Sequence, residues 1–319
     1  MMSPKFASLP IFVAVVELGS FSAAASQLNI TKSAVSKRLT QLEEILGVRL
    51  FHRTTRKIHL TEAGERLYFY ASQSLDYAKQ GLDSVLELQG EPQGKLKIAT
   101  PMSFGVRHIA PYICEFMKQY PKLDIEMEFE DQMVDLLQGG FDLAIRIGRL
   151  PVSNMIAKRL SDCQSVLCAS PEYLAQSGSP EHPTDLRHHN CLLYSYFRGG
   201  QAWTFHQRDK EYKVVPKGNL IMNNSEGIRR AALDGLGIAQ LPTFMISKDL
   251  TAGLLTPVMS RYHLPNHAVY AVYPDRQYLP HKVRLFIDFI QAKFGGDAPY
   301  WDQALQQTKP PASVHEKSC

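Results

Sequence analysis

The sequence predicts an α/β protein headed by an all-α-type module, and three features carry that prediction. The first 60 residues hold short helical periodicities separated by turn residues, one long apolar repeat follows, and from about residue 96 strand-like and helix-like runs alternate. At 319 residues the chain exceeds what a single core ordinarily serves, so two or three domains are expected.

In the head module, Leu9, Phe12, Val13 and Val16 recur at helical spacing, with Pro10 tolerable in a first turn and Gly19 as a stop. A short second helix runs from the Ser20 region to Leu28, where Ala23, Ala24 and Ala25 permit close packing and Asn29 can end it in the left-handed conformation. Thr31 can cap a third helix whose stripe of Val35, Leu39, Leu42, Ile45 and Leu46 ends at Gly47. Two helices joined by a turn of a few residues form the helix-turn-helix pattern. The opposite face of the third helix carries Lys32, Ser33, Ser36, Lys37 and Thr40, side chains able to reach base edges or phosphates from a major groove. Between Leu50 and Leu60, the run Arg53-Thr54-Thr55-Arg56-Lys57 reads as a basic wing held by Phe51, Ile58 and Leu60.

Charge supports a nucleic-acid partner for this module. Residues 1–60 hold eight basic side chains (Lys5, Lys32, Lys37, Arg38, Arg49, Arg53, Arg56, Lys57) against three acids (Glu17, Glu43, Glu44). The remainder must therefore sum to −1 within the whole-chain charge of +4. The plain alternative is a solvated basic face.

Thr61 can cap a helix running to about Gln89, on which Tyr68, Ala71, Leu75, Ala78, Leu82 and Val85 keep 3-4-3-4-3 spacing. Such a seam predicts pairing with a second copy, and the alternative is packing on its own domain. Glu91-Pro92-Gln93-Gly94 then breaks the helix. Strands are expected at 96–100, 123–130, 141–147, 164–169, 192–196, 219–224, 237–241 and 268–273. Helices are expected at 104–119, 133–137, 225–234 and 282–294, an order that implies parallel βαβ units. After Trp301 the tail has little to bury and is expected to be loose.

Five cysteines without a C-x-x-C pair argue against a disulfide framework and against a zinc site. Met1-Met2-Ser3-Pro4-Lys5-Phe6 does not open a secretory leader, and no run approaches the roughly 20 apolar residues of a membrane span. A cytoplasmic protein with no membrane partner is the expectation. Surface-loop roles are favoured for His182, His188 and His189 over metal binding, and inert burial is favoured over redox sensing for Cys163 and Cys168.

Several runs together resemble one family. Phe21-Ser22-Ala23-Ala24-Ala25, Ser33-Ala34-Val35-Ser36, Leu42-Glu43, Leu46-Gly47-Val48-Arg49-Leu50-Phe51-His52-Arg53 and Leu60-Thr61-Glu62-Ala63-Gly64 resemble the signature of LysR-type transcriptional regulators. Phe141-Asp142-Leu143-Ala144-Ile145-Arg146 and Gly235-Leu236-Gly237-Ile238-Ala239-Gln240-Leu241-Pro242 resemble the same family's effector domain, so the resemblance spans roughly residues 5–295 in consistent order. It implies a winged helix-turn-helix, a dimerising linker helix and two Rossmann-like subdomains folded like periplasmic binding proteins. The implied division is 1–60 for DNA binding, 61–90 for the linker, 91–167 with 268–297 for effector subdomain I, 168–267 for subdomain II and 298–319 for a loose tail.

The expectation from the resemblance is a sequence-specific regulator that binds double-stranded promoter or operator DNA as a homodimer or homotetramer. RNA polymerase is a further candidate partner, and no cofactor or metal is expected. The DNA-binding candidates are Thr31, Ser33, Ser36, Lys37 and Arg38 on the third helix with Arg53, Thr55 and Arg56 in the wing; Arg49 is expected to be structural. For a small effector, Thr100-Pro101-Met102-Ser103 and Asn224-Ser225 each end a strand and open a helix, and helix N-termini attract anions. With Arg146 nearby, Thr100, Ser103, Arg146, Asn224 and Ser225 become the candidate site for a carboxylate; simple helix caps and an ion pair are the alternative. A solute-binding protein would lack the basic head and require an export signal. An enzyme is disfavoured because no G-x-S-x-G, phosphate-loop or H-E-x-x-H motif is present.

Overall fold

The third predicted helix organises the head of the chain. In the computed structural model α1 spans Pro4–Leu18, α2 Phe21–Gln27 and α3 Lys32–Leu46. Ser20 caps α2 by accepting from the Ala23 N–H (3.3 Å), Thr31 caps α3 by accepting from Ala34 (3.2 Å), and Gly47 ends α3 at φ +70°. Val35, Leu39 and Leu42 pack against Phe12, Val15 and Ala24 in one small core. Residues 4–52, 58–87, 92–137, 139–148, 150, 154–196, 202–274, 279–295 and 299–307 are those the structure describes. The chain divides into two units, 1–90 and 91–319.

Two expectations for the head change. α1 begins at Pro4, so Pro10 lies inside the helix, where it supplies no N–H to the intrahelical ladder. Ile45 and Leu46 were expected on the buried stripe but are 45% and 38% exposed, because the last turn of α3 overhangs the α1–α2 core. Glu43 turns inward there instead. Its carboxylate accepts from the Leu50 N–H (2.7 Å) and pairs with Arg49 (2.8 Å), tying α3 to the following segment. That pair gives Arg49 the structural role its sequence context suggested.

Phe51 and Leu60 form an antiparallel bridge at the base of the predicted wing, with the His52 N–H donating to the His59 carbonyl (2.9 Å). Helix α4, Glu62–Glu87, starts against this bridge. Thr61 donates its hydroxyl to Arg49 O (2.6 Å) and accepts from the Gly64 N–H (3.1 Å). A Cβ on Gly64 would lie 2.2 Å from Leu50 O, so only glycine lets α4 approach this closely.

The second unit contains two five-stranded sheets and a hairpin. Its elements run β1 Gly94–Thr100, α5 Met102–Phe104, a π-helical turn Gly105–Ile109, α6 Ala110–Gln119, β2 Leu123–Phe129, β3 Leu143–Ile147, β4 Met155–Cys163 and β5 Ser165–Ala169. There follow α7 Pro171–Ser177, β6 Cys191–Tyr194, β7 Trp203–Gln207, β8 Lys210–Val214, β9 Leu220–Met222, α8 Ser225–Leu233, β10 Ile238–Pro242 and α9 Thr243–Thr251. The remainder is β11 Thr256–Pro257, β12 His267–Pro274, α10 His281–Phe294 and α11 Tyr300–Gln307. The first sheet has order β2-β1-β3-β12-β4 and the second β11-β5-β10-β6-β9.

Within each sheet the inner strands follow the expected parallel βαβ pattern, with β1 parallel to β2 and β3, and β6 parallel to β9 and β10. The sheets as wholes are mixed. β12 runs antiparallel to β3 and β4, and β5 antiparallel to β10, because these strands carry the chain from one sheet to the other. The first crossing lies at Gln164, so Ser165–Leu167, expected in the first subdomain, belong to the second sheet.

Other readings are corrected. Residues 133–137 form no helix: Val134 and Leu136 pack beside Phe141 while residues 133, 135 and 137 are exposed, an every-second-residue pattern that does not share one helical face. Strand β4, the β7–β8 hairpin, α7 and α9 went unanticipated. Residues 300–307 form a helix in place of a loose tail. Trp301 is 3% exposed, with its ring 5.8 Å from Phe104, 6.4 Å from Phe244 and 5.4 Å from Phe294. α11 thus packs on α9, which follows the second sheet, and on α5 and α10, which flank the first.

Gly64→Ala is expected to cost about 1–3 kcal/mol through the forced retreat of α4 from Leu50 O, read as a lowered denaturant midpoint for the head unit. Trp301→Ala is expected to cost about 3–5 kcal/mol in the unfolding transition of the second unit, whereas an unstructured tail would leave it unchanged.

Candidate functional site

On the head unit the candidate DNA face is the outer side of α3. Lys32, Ser33, Ser36, Lys37, Arg38 and Thr40 are all exposed, while Val35, Leu39 and Leu42 face inward. Thr31 differs from its neighbours, since its hydroxyl caps the helix and also shares a hydrogen bond with Ser33 Oγ (3.0 Å). Arg53, Thr55 and Arg56 lie outside the described residues. The apolar repeat on α4 splits. Ala71 is buried, and Tyr68 and Leu75 pack partly buried against the head core, whereas Ala78 and Leu82 face solvent and Leu82 is 69% exposed. The Val85 side chain lies outside the described residues.

The second unit holds a cavity of about 460 Å³ where the two sheets present their strand ends to each other. Ligands in open α/β sheets bind at the carboxyl ends of the strands. Here β1 delivers Pro101 and Ser103, β2 leads to Asp131, β3 ends in Arg146, Ile147 and Gly148, β6 supplies Tyr194 and β10 supplies Gln240 to Pro242. The crossing segments contribute Cys163, Ser165, Pro265 and His267. One wall is the β7–β8 hairpin, whose pairs Thr204–Lys213 and His206–Glu211 face the cavity, while Trp203, Phe205 and Val214 on its other face enter the second-sheet core. Lys213 and Glu211 pair with each other at 2.7 Å.

Of the five residues predicted for an effector, the structure brings three to the cavity: Ser103, Arg146 and Ser225. Thr100 is fully buried, and its methyl group occupies the space beside Gly105. Asn224 caps α8, its side-chain oxygen accepting from the Glu226 (2.9 Å) and Gly227 (3.4 Å) N–H groups. These two belong to the scaffold of the strand-to-helix turns. The N-terminus of α5 is also engaged by the protein itself, because the Met102 N–H donates to Asp131 Oδ1 (2.9 Å). Burial raises the Asp131 carboxyl; the Met102 N–H, the Tyr194 hydroxyl and Arg146 offset part of that rise.

Sequence reasoning missed Asp131, which sits in a loop, Tyr194 and Gln240, which sit on strands it had read, and the residues of a hairpin it had not. For Gln240 the run Gly237 to Pro242 was a signal, as it ends a strand in the same way as Arg146. Ser103 Oγ, 6% exposed by residue, and Gln240 Oε1 are buried without hydrogen-bond partners among the described residues. Buried polar atoms are ordinarily satisfied.

Two further clusters join the halves around the cavity. Arg107, in the π-helical turn, chelates the Glu226 carboxylate (Nη2 to Oε2, 2.8 Å), which the cation holds below the usual carboxylate range. Behind Phe104, His108 accepts from the Tyr300 hydroxyl at Nδ1 (2.5 Å) and donates from Nε2 to Phe244 O (3.1 Å). Burial first, then the Arg107 charge, lowers its pKa to about 4. On the same helix as Trp301, Asp302 is 3% exposed, and burial raises its carboxyl while the Thr243 hydroxyl offsets part of that rise.

Burial pushes Cys163, Cys168 and Cys191 up to about 12, so none is a ready thiolate. His182 caps a 3-10 turn, accepting at Nδ1 from the Thr184 N–H (3.2 Å), and His189 bonds the Tyr173 hydroxyl (3.2 Å). Among the described residues no helix is long and apolar enough to cross a membrane, and no group of three His, Cys, Asp or Glu could hold a metal ion.

Comparison with known proteins decides the family. Residues 6–65 match the family "Bacterial regulatory helix-turn-helix protein, lysR family", and residues 89–295 match "LysR substrate binding domain". The chain belongs to the LysR family of transcriptional regulators. Among relatives of this regulator, PtxR of Pseudomonas aeruginosa is 37% identical over 89% of the chain and 91% of its own length. DmlR of Escherichia coli is 35% identical over 93% and 96%. Among solved structures, the regulator is similar to CrgA of Neisseria meningitidis (TM-score 0.59, 31% identity, 92% of this chain and 99% of that one). It is also similar to the Vibrio cholerae virulence activator AphB (TM-score 0.57, 29% identity, 90% and 98%). The regulator is therefore a DNA-binding transcription factor with an effector-binding domain, and not an enzyme. Helix α11 begins at Tyr300, past the matched region.

The His108 ring is neutral when folded and titrates near 6.5 when unfolded, so stability is held above pH 6.5 and falls as the pH drops towards about 4. The loss attributable to this ring reaches about 3 kcal/mol. His108→Gln, which can keep both hydrogen bonds, is expected to remove that part of the acid sensitivity in unfolding titrations. The raised carboxyl of Asp302 has the opposite sign, contributing stability below its ordinary 3.8 that is lost as the pH rises through its folded value. Asp302→Asn is expected to raise the melting temperature at pH 7 and to make no difference below about pH 3.

Proposed function

We propose that this regulator reads operator DNA through Ser33, Ser36, Lys37 and Arg38 of α3, with Arg53, Thr55 and Arg56 gripping the duplex beside it. Thr31 acts through its cap. The exposed polar face of α3 supports this reading, and the recognition helix of such modules lies in the major groove. The domain division proposed is 1–60 for DNA binding, 61–90 for the linker helix, 91–164 with 267–297 for subdomain I and 165–266 for subdomain II. Pairing of two chains is assigned to the outer part of α4, where Tyr77, Ala78 and Leu82 stand in solvent, with Tyr68, Ala71 and Leu75 holding the helix to its own domain. RNA polymerase is the proposed downstream partner.

The effector proposed is a small molecule bearing a carboxylate, seated between Ser103, Arg146 and Ser225. One observation carries this part. A cavity of about 460 Å³ joins the strand ends of both sheets, and Arg146, 8% exposed, lies in its wall. Its volume is within the range of small-molecule sites, and a ligand touching both sheets has a different affinity for open and closed arrangements, as a switch requires. Arg146→Gln is expected to abolish ligand-induced thermal stabilisation while leaving operator affinity without ligand within about twofold.

For DNA, Arg53→Ala or Arg56→Ala is expected to weaken all sequences about equally and to reduce the slope of log K against log salt by about 1. Ser36→Ala is expected to relax discrimination at one base position with an unchanged slope. Fluorescence anisotropy with operator and scrambled duplexes measures both. Equal, salt-labile affinity of the unmodified protein for its own promoter region and for a scrambled duplex would overturn the proposed readout.

A further inference from the structure

The cleft is not a simple anion trap. A carboxylate effector would meet Arg146, but it would also meet Asp131, whose side chain already accepts from the N-terminal N–H of α5 and couples to Arg146. Lys213 offers little net attraction, because Glu211 neutralises it at 2.7 Å. A plain carboxylate thus gains from Arg146 and loses to Asp131, two opposite charges in one desolvated wall.

A second observation points the same way. Gln240 Oε1 lines the cavity, buried and without a partner among the described residues, and an amide oxygen can only accept. Ser103 Oγ, also unpartnered among them, can donate to a carboxylate oxygen. The cavity therefore presents donors (Arg146, Ser103) and acceptors (Asp131, Gln240) together. Between them lies apolar surface from Phe104, Ile228, Leu241 and Phe244.

We infer that the effector is a zwitterion of the α-amino-acid class with an apolar side chain, its carboxylate held by Arg146 and Ser103 and its ammonium by Asp131 and Gln240. This rests on the carboxylate reading proposed above and adds the cationic group to it. An ammonium cancels the repulsion from Asp131 and fills the empty acceptor on Gln240, whereas removing it leaves both groups buried without a donor from the ligand. Hydrogen bonds to charged groups are worth about 1.5–3 kcal/mol, or roughly tenfold or more in affinity.

The test uses the full-length protein in thermal-shift and calorimetric titrations. Probes are the twenty proteinogenic L-amino acids and, in parallel, the acids that lack only the α-amino group. At least one apolar amino acid is expected to stabilise the protein and to bind about tenfold or more tightly than its deaminated counterpart. Asp131→Asn, which can still accept the Met102 N–H, is expected to erase most of that preference while keeping affinity for the deaminated acid. If the deaminated acids bind as well as or better than the amino acids, the zwitterion inference falls and the carboxylate site stands. If neither set binds, both fall. An amino-acid preference unchanged in Asp131→Asn would overturn the assigned role of Asp131.

Discussion

The second unit depends on the chain crossing between its two sheets at one end of the strands. Cys163 closes β4 in the first sheet and Ser165 opens β5 in the second, while His267 brings the chain back into β12. Gln164 is the whole of the first connection, so β4 of one sheet runs almost directly into β5 of the other. Every inner strand of a βαβ sheet places its carboxyl end, and the helix N-terminus behind it, on one side. Two such sheets tied at that side can only enclose a cavity lined by strand-to-helix turns. Ser103, Arg146, Tyr194, Ser225 and Gln240 meet for that reason, although more than 130 positions separate the first from the last.

Behind this cavity the two halves are joined a second time by an aromatic junction. Phe104 packs edge-on against Phe244 at 5.1 Å and against Phe294 at 5.6 Å, and α11 adds Trp301 to the group. Phe104 and Phe244 also line the cavity floor. His108, the imidazole among these rings, is held uncharged at neutral pH by burial, and burial also raises the Asp302 carboxyl above its ordinary value. Beside His108 the Arg107 guanidinium holds the Glu226 carboxyl below its ordinary range.

The head unit follows a different economy. It is too small for a large core, and side chains joined to the backbone do much of its fastening. Glu43 gathers Leu50 and Arg49, Thr61 ties the start of α4 to Arg49 O, and Gly64 gives up a side chain so that α4 can close on Leu50. These contacts leave the outer face of α3 unburdened. Its serines and basic residues are the ones with no packing duty, which is why they were legible as candidate DNA contacts.

Sequence by itself determined the helix-turn-helix, the long linker helix, the inner parallel strands and the placement of positive charge, because each is written in local periodicity, capping residues or composition. It also located Ser103, Arg146 and Ser225, since strand-to-helix turns have a local signature. Tertiary structure alone decided which polar groups accompany them. Asp131 and Gln240 reach the cavity through sheet topology, whereas Thr100 is buried behind its strand and Asn224 divides its side chain between capping its own helix and reaching the Met102 sulfur. Strand β4 and the hairpin escaped detection because an edge strand with Lys158 and Arg159, and a hairpin with mixed charges, carry weak alternation. Helix α11 escaped because its anchor, Trp301, finds its partners about 200 and 60 residues upstream, and no local pattern records a contact that only folding makes.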